Sequence, residues 1–153
     1  MEVEIRPATL ADVRYVASNL RDSDRAEIEA LGLRPSFGVR SSFEESDEVY
    51  TGTVDGKPAM IFGVGGAMLS DETSIWALGT PLCDKVPVSM VRLGRKVVRA
   101  FLESYPVLAN YCDARYEKTI KWLRMLGFHV GEPEPYGEKG ALFCKLEIKR
   151  EEA

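Results

Sequence analysis

Alternating and helical patterns of apolar residues divide the chain into strands and amphipathic helices. Val3 and Ile5 alternate with charged neighbours, which predicts a first strand with one buried face. Thr9, followed three residues later by Asp12, is typical of a helix N-terminus and opens a helix predicted over residues 10–20. Further strands are predicted over residues 48–54, 57–64, 74–79, 107–111 and 141–148, and further helices over residues 25–31, 39–45 and 88–103.

The clearest local pattern lies in residues 110–128, where the end of a strand, a turn, a helix and a new strand follow one another. Ile120, Leu123 and Leu126 share one helical face, while lysine and arginine side chains lie on the other. Gly127 stands where a helix ends through a positive φ angle, which glycine adopts easily because it lacks a Cβ atom. The pattern therefore predicts that the helix ends at this glycine.

Composition indicates an ordinary soluble globular chain. Its 153 residues are enough for one domain with a single core, and 45% of them are hydrophobic and 29% charged. The formal net charge of −4 gives no global attraction for nucleic acid, so no nucleic-acid partner is expected. The N-terminus is too polar for a signal peptide, and the longest apolar run is too short and too rich in glycine to span a bilayer. No membrane partner is expected either.

The cysteines and the histidine do not form a metal-binding pattern. Cys83, Cys112 and Cys144 are odd in number and lack the spacing of metal ligands. Free thiols in a reducing cytoplasm are the simplest interpretation, so a cytoplasmic location is expected. With His129 as the single histidine, no metal cofactor is predicted.

Residues 110–128 resemble the C-terminal signature of the GNAT acyltransferases, in which an Asn precedes a helix with an aromatic pair and a Leu-Gly-Phe ending. Residues 126–128 match that ending, and Trp122 falls on the first aromatic position. Tyr116 occupies the Asn position, and Leu123 stands where many members carry the tyrosine that protonates the departing thiolate. The resemblance implies a three-layer α+β fold: a GNAT-like, mixed and mostly antiparallel sheet of six to seven strands with helices on both faces, spanning residues 1–153 as one domain.

The resemblance also implies a site for acetyl-CoA at the start of the long helix. GNAT enzymes bind the coenzyme pyrophosphate there on backbone amides, which the positive end of the helix dipole reinforces. The matching loop is residues 84–89, in which Pro87 replaces the first glycine of the family pattern and Ser89 the second. An ordinary helix start with proline in its first turn explains the same residues. The candidate coenzyme-binding residues are Lys85, Val86, Val88, Ser89, Met90 and Arg92.

The basic residues of the long helix have two interpretations. Arg92, Arg95, Lys96 and Arg99 are spaced along one helical face. A solvated surface is the favoured interpretation, and contact with phosphates or a partner is the alternative. Arg92 and Arg95 are the better ligand candidates because they lie nearest the N-terminus of the helix.

Acyl transfer to an amine needs a base for the ammonium and an acid for the thiolate. Tyr111 and Tyr116 are the candidate catalytic acids, and both are equally explained as packing residues. Cys83 has no assigned partner that would make it a nucleophile. The candidate bases, each expected to be solvated, are Glu27, Glu29, Asp71 and Glu72.

The whole chain resembles a divergent GNAT-like family from short-tailed lytic bacteriophages, whose members are small internal virion proteins. The resemblance rests on residues 5–7, the turn over residues 32–37, the basic helix at residues 92–99, and residues 110–127. It implies a phage origin and a location in the host cytoplasm or the virion. Two functions follow: an N-acetyltransferase that acts on an amine of a protein or small molecule, or an inactive GNAT scaffold that binds a phage virion protein or a host protein.

Overall fold

The computed structural model describes residues 1–66 and 71–152 of the chain. Five helices lie in these residues: α1 (Leu10–Ser18), α2 (Asp22–Ala30), α3 (Pro35–Glu45), α4 (Pro87–Ser104) and α5 (Glu117–Met125). The strands are β1 (Val3–Pro7), β2 (Glu48–Val54), β3 (Lys57–Val64), β4 (Thr73–Gly79), β5 (Val107–Asp113), β6 (His129–Val130), β7 (Glu134–Tyr136) and β8 (Ala141–Lys149). A 3₁₀ turn, Pro81–Lys85, leads into α4, and another, Arg150–Glu152, follows β8.

The strands form one mixed sheet in the order β1-β2-β3-β4-β5-β8-β6, with β7 also paired to β8. Neighbouring strands are antiparallel except β4 and β5, which are parallel and are joined by α4. The parallel pair is hydrogen-bonded only near its start, where Thr73 faces Leu108 and Ser74 faces Ala109. Beyond these residues the two strands diverge.

Helices cover both faces of the sheet, as the sequence predicts. On one face α4 packs through Val98 and Phe101 on a core that includes Leu108. On the other face, Val16 of α1 and Val39 of α3 pack in a second buried cluster. Side chains alternate across each strand, which lets one sheet separate two apolar layers. The predicted fold class, a mostly antiparallel sheet between two helical layers, is confirmed.

The predicted start of α1 is confirmed in detail. The Thr9 side chain accepts a hydrogen bond from the Asp12 amide, and the Asp12 carboxylate accepts one from the Thr9 amide, which is a capping box. Arg6 donates to the same carboxylate at 2.6 Å, and the buried Thr51 hydroxyl donates to it at 2.9 Å. Asp12 therefore ties β1, α1 and β2 together.

Three elements differ from the sequence prediction. Helix α2 begins at Asp22, three residues before its predicted start. Helix α3 begins at Pro35, four residues before its predicted start, because proline suits the first turn of a helix. Strand β7 lies in a segment with two prolines in which no strand is predicted; it pairs with β8 alone, as proline requires of a strand at an edge. The end of α5 is as predicted, since Gly127 has a φ of 107°. No helix within the described residues has the length and apolar character needed to cross a membrane.

Candidate active site

A side chain links β4 and β5 at the point where the two strands diverge. Asn110 of β5 donates from its amide nitrogen to the Ile75 carbonyl of β4 at 2.6 Å. Its carboxamide oxygen accepts a hydrogen bond from the Tyr111 amide at 2.8 Å. A side-chain amide thus bridges the strands where the backbone ladder stops, and beyond it the edge of β4 is free for another group.

The edge of β4 that faces this opening can be followed residue by residue. Ser74 and Thr80 bond toward β3, so the intervening odd-numbered residues direct their backbone groups toward β5. Gly79 is already bonded there, because its amide donates to the Asp24 carboxylate at 2.9 Å and its carbonyl accepts from the Arg21 amide at 2.9 Å. The N–H and C=O of Ala77 point into the opening, where the described part of the chain gives them no strand partner.

A cavity of about 290 Å³ passes through the opening between the two strands. Its walls are mostly apolar and come chiefly from α2, α4, α5, β4 and β5, with further residues from β1, β2, β3 and α3. Polar groups on these walls include Ser89 of α4, Tyr111 of β5 and Glu27 of α2. The cavity therefore connects the start of α4 with the α2 side of the sheet.

Two backbone amides at the start of α4 have no acceptor among the described residues. The Val86 amide donates to the Cys83 carbonyl at 3.4 Å, and the Met90 amide donates to the Val86 carbonyl at 3.0 Å. Pro87 has no N–H to offer. Among the described residues, no acceptor is found for the amides of Val88 and Ser89, so these two donors face whatever lies at the helix N-terminus. The side chains of Val86, Ser89 and Met90 line the cavity.

The charges around the start of α4 are partly paired. The exposed Asp84 accepts a hydrogen bond from Arg21 at 3.1 Å, and Lys118 lies 3.8 Å from the same oxygen. Lys85 and Arg92 are exposed. Arg95 donates to the Met125 carbonyl at 2.9 Å and so stabilises the end of α5. Arg92 is thus the better placed of the two arginines that the sequence predicted as phosphate ligands.

The two candidate tyrosines occupy different surroundings. Tyr111 lines the cavity, and its ring stacks on Tyr136 of β7 with the centroids 3.9 Å apart. Tyr116 precedes α5 and is not among the cavity-lining residues; its ring lies 5.3 Å from the guanidinium carbon of Arg115. Leu123, at the position where the resemblance expects a tyrosine, lines the cavity with an apolar side chain.

Glu27 is the carboxylate that the structure adds to this site. The sequence expectation was a solvated side chain, but Glu27 is half-buried and lines the cavity. Burial, followed by the charges of Asp24 and Asp113, raises the pKa of Glu27 to about 8. The other candidate bases differ: Glu29 and Asp71 are exposed, and Glu72 is paired with Lys145 at 2.8 Å.

The acids next to Glu27 already have partners. The buried Asp24 accepts a hydrogen bond from Arg21 at 2.8 Å, in addition to the one from the Gly79 amide. Burial raises the pKa of Asp24, and the Arg21 guanidinium opposes that shift. Asp113 is paired with Arg115 at 2.6 Å, and that pairing outweighs burial and lowers its pKa. The Asp113 backbone amide and the Arg21 guanidinium favour the charged form of the Glu27 carboxyl, but burial outweighs them.

The cysteines are free and buried, as the odd count suggests. Burial raises the pKa of Cys83 to about 11 and that of Cys112 to about 12. Both thiols therefore stay protonated near neutral pH and are poor nucleophiles. Residues 1–66 and 71–152 contain no group of three or more His, Cys, Asp and Glu side chains arranged to hold a metal ion.

No protein-family model matches the sequence, and no curated protein sequence is significantly similar to it. Solved structures do share its architecture. An N-acetyltransferase from Staphylococcus aureus Mu50 has a TM-score of 0.70 at 14% identity and covers 98% of this chain and 99% of its own. YncA from Salmonella typhimurium, solved with its cofactor acetyl-CoA, has a TM-score of 0.68 at 13% identity. The match covers 100% of this chain and 96% of YncA. An aminoglycoside N(6')-acetyltransferase from Legionella pneumophila has a TM-score of 0.73 at 10% identity, and the match covers 99% of this chain and 95% of the other.

These similarities show that the chain has the GNAT fold over nearly its whole length. The fold expected from residues 110–128 is therefore confirmed. At identities of 10–14% the similarity establishes the fold, and what the protein does must be argued from its own residues.

Proposed function

We propose that this protein is an N-acetyltransferase that moves the acetyl group of acetyl-CoA to an amine of a protein or small molecule. The observation that carries the proposal is the opening between β4 and β5. It combines a cavity with an unpaired backbone edge at Ala77 and a helix N-terminus at one end. A thioester needs a narrow apolar channel, a donor for its carbonyl oxygen and a site for its phosphates, and the cavity offers each of these.

The residues that would hold the coenzyme lie on α4 and β4. The free amides of Val88 and Ser89 would receive the pyrophosphate, and the exposed Lys85 and Arg92 would add positive charge. The Ala77 N–H is the donor available to stabilise negative charge on the thioester oxygen as the amine attacks. Val86 and Met90 contribute cavity wall, because their amides are already bonded within the protein.

Tyr111 is the better candidate for the acid that protonates the leaving thiolate. It lies on the cavity wall, whereas Tyr116 lies outside the lining, and Leu123 cannot donate a proton. Thiolates are good leaving groups, so the acid contributes less here than it does in reactions with a more basic leaving group. Positioning of the amine against the thioester supplies much of the rate in such reactions.

The second candidate function is an inactive scaffold of the same fold. Leu123 at the usual tyrosine position and the Pro87 and Asp84 substitutions in the loop favour it. The sequence resemblance to internal virion proteins of short-tailed phages supports a phage origin and, for this candidate, a virion or host protein as partner. An expected location in the host cytoplasm or the virion belongs to the same proposal.

The first test is calorimetric titration with acetyl-CoA. We expect micromolar binding to the wild type and at least about tenfold weaker binding to Ser89→Asp, because the new carboxylate would face the pyrophosphate at the helix N-terminus. Ser104→Asp, at the other end of α4, adds the same charge away from the site and should bind like the wild type. Failure of the wild type to bind at millimolar ligand would overturn the enzyme and leave the scaffold.

A further inference from the structure

Positive charge is concentrated on α4 and α5. These two helices carry seven of the 20 lysine and arginine residues of the chain but only two of its 24 acids, Glu103 and Glu117. Their net charge is therefore +5, and that of all the other residues together is −9. The overall charge of −4, from which the sequence predicted no nucleic-acid partner, is the sum of a basic part and a larger acidic part, so it does not describe the surface of these helices.

Close packing joins the cations of α4 and α5 into one surface. Arg95 of α4 donates to the Met125 carbonyl of α5 at 2.9 Å. Gly94 allows the two helices to approach, because a Cβ atom at this position would lie 2.7 Å from Cδ2 of Leu126. The exposed cations of the two helices form a surface that we call the basic face: Arg92, Arg95, Lys96 and Arg99 of α4 with Lys118, Lys121 and Arg124 of α5.

The basic face has little negative charge to balance it. Within the described residues, the ion pair of Lys118 with Asp84, at 3.8 Å, is the only one that joins this face to an acid. On α4 the cations stand three or four residues apart along about 10 Å of helix, a spacing at which like charges repel. A polyanion that lies along the face would remove this repulsion.

The kind of polyanion follows from what the basic face lacks. Val98, Phe101 and Ile120 are buried against the sheet, and of the large apolar side chains on α4 and α5, both described in full, only Val88 and Met125 are exposed. A helix at a membrane surface needs an apolar face to insert, and a protein interface needs apolar or aromatic anchors. Single-stranded nucleic acid needs exposed aromatic rings on which its bases stack. The phosphate backbone of a duplex needs only cations.

We propose that the basic face of α4 and α5 binds the phosphate backbone of a nucleic acid duplex without regard to its sequence. This inference goes beyond the proposed acetyltransferase function and does not depend on it. Arg92, near the start of α4, is common to the basic face and the proposed coenzyme site. Arg99 lies ten residues beyond Ser89, about 15 Å further along the helix, so most of the face lies away from the proposed pyrophosphate site.

The test is fluorescence anisotropy with a labelled DNA duplex of about 20 base pairs and arbitrary sequence, at several salt concentrations. With about four phosphate contacts, log K should fall with log salt at a slope of about −4, which is at least about 100-fold between 50 and 200 mM. The double variant Lys96→Gln, Arg99→Gln should bind at least about tenfold more weakly at 50 mM and reduce the slope to about −2. As a control of equal charge, Arg14→Gln, Arg34→Gln changes exposed cations on the opposite side of the sheet and should bind like the wild type.

Three results would overturn this inference. The first is failure of the wild type to bind the duplex at 50 mM salt, and the second is equal loss of binding in the two double variants. The third is tighter binding of polyglutamate, or of vesicles that contain phosphatidylserine, since either would assign the basic face to an acidic protein or a membrane. Calorimetry with acetyl-CoA on the Lys96→Gln, Arg99→Gln protein should match the wild type, which separates failure of the duplex site from failure of the proposed enzyme.

Discussion

The two ends of the cavity differ in how their charges are paired. At the α4 end, Asp84 is engaged by Arg21 and Lys118, and the free groups are two backbone amides. At the α2 end, Asp24 is paired with Arg21 as well. Glu27 forms no ion pair within the described residues, and the Asp113 backbone amide and the charge of Arg21 favour its ionised form less than burial disfavours it. Arg21 therefore interacts with acids at both ends, and the α2 end also holds the half-buried Glu27 carboxyl, whose pKa is raised.

This difference separates groups that hold the fold from groups that are free to act. A buried carboxylate with a guanidinium and a backbone donor stabilises the structure and is already satisfied. A desolvated carboxyl without an ion-pair partner lowers stability near neutral pH, because it holds a proton in the folded chain and would ionise when the chain unfolds. The pairing of each acid therefore decides whether the structure holds it charged.

The largest effect on stability should follow from removing the Asp24 carboxylate, which pairs with Arg21. Asp24→Ala leaves the buried Gly79 amide without its acceptor and removes the closer of the two carboxylates paired with Arg21, which should cost about 3–4 kcal/mol of unfolding free energy. Urea denaturation measures this loss of unfolding free energy. Asp22→Ala, in the exposed first turn of the same helix, should cost less than about 1 kcal/mol. Equal losses for the two variants would mean that the pair does not anchor α2 to β4.

A smaller effect should distinguish the two tyrosines. Tyr111→Phe keeps the stack on Tyr136 and removes the hydroxyl, and we expect about a tenfold loss of kcat with acetyl-CoA binding unchanged. Tyr116→Phe should stay within about twofold of the wild type, because that ring lies outside the cavity lining. Steady-state transfer at saturating acetyl-CoA measures both. A larger loss in Tyr116→Phe would reverse the assignment.

The smallest effect should appear at the α4 end. Asp84→Asn removes an exposed anion beside the proposed pyrophosphate site and frees Lys118, so acetyl-CoA should bind about two- to threefold more tightly at low salt. Calorimetry at two salt concentrations measures the gain, which should shrink as salt rises. Glu103→Gln, near the far end of α4, controls for net charge. Weaker binding by Asp84→Asn would show that its ion pairs shape the loop instead.

Much of the fold could be predicted from residues close in sequence. The capping box of Thr9, the positive φ of Gly127 and the alternation in β2, β3 and β8 depend on neighbours within a few positions, and all are present in the structure. The start of α4 could be located for the same reason. Strand β7 could not be predicted, because its conformation comes from pairing with β8 and the prolines at positions 133 and 135 argue against a strand.

The character of the site was decided by contacts between distant parts of the chain. Local patterns in the sequence place Glu27 on a helix and Asn110 in a strand, and the structure has both. Only the tertiary structure placed Glu27 beside Asp113 in a cavity, bridged Asn110 to Ile75, and satisfied Asp24 with the Gly79 amide. Helix and strand patterns arise from local backbone geometry, whereas desolvation and charge pairing depend on which residues meet after folding.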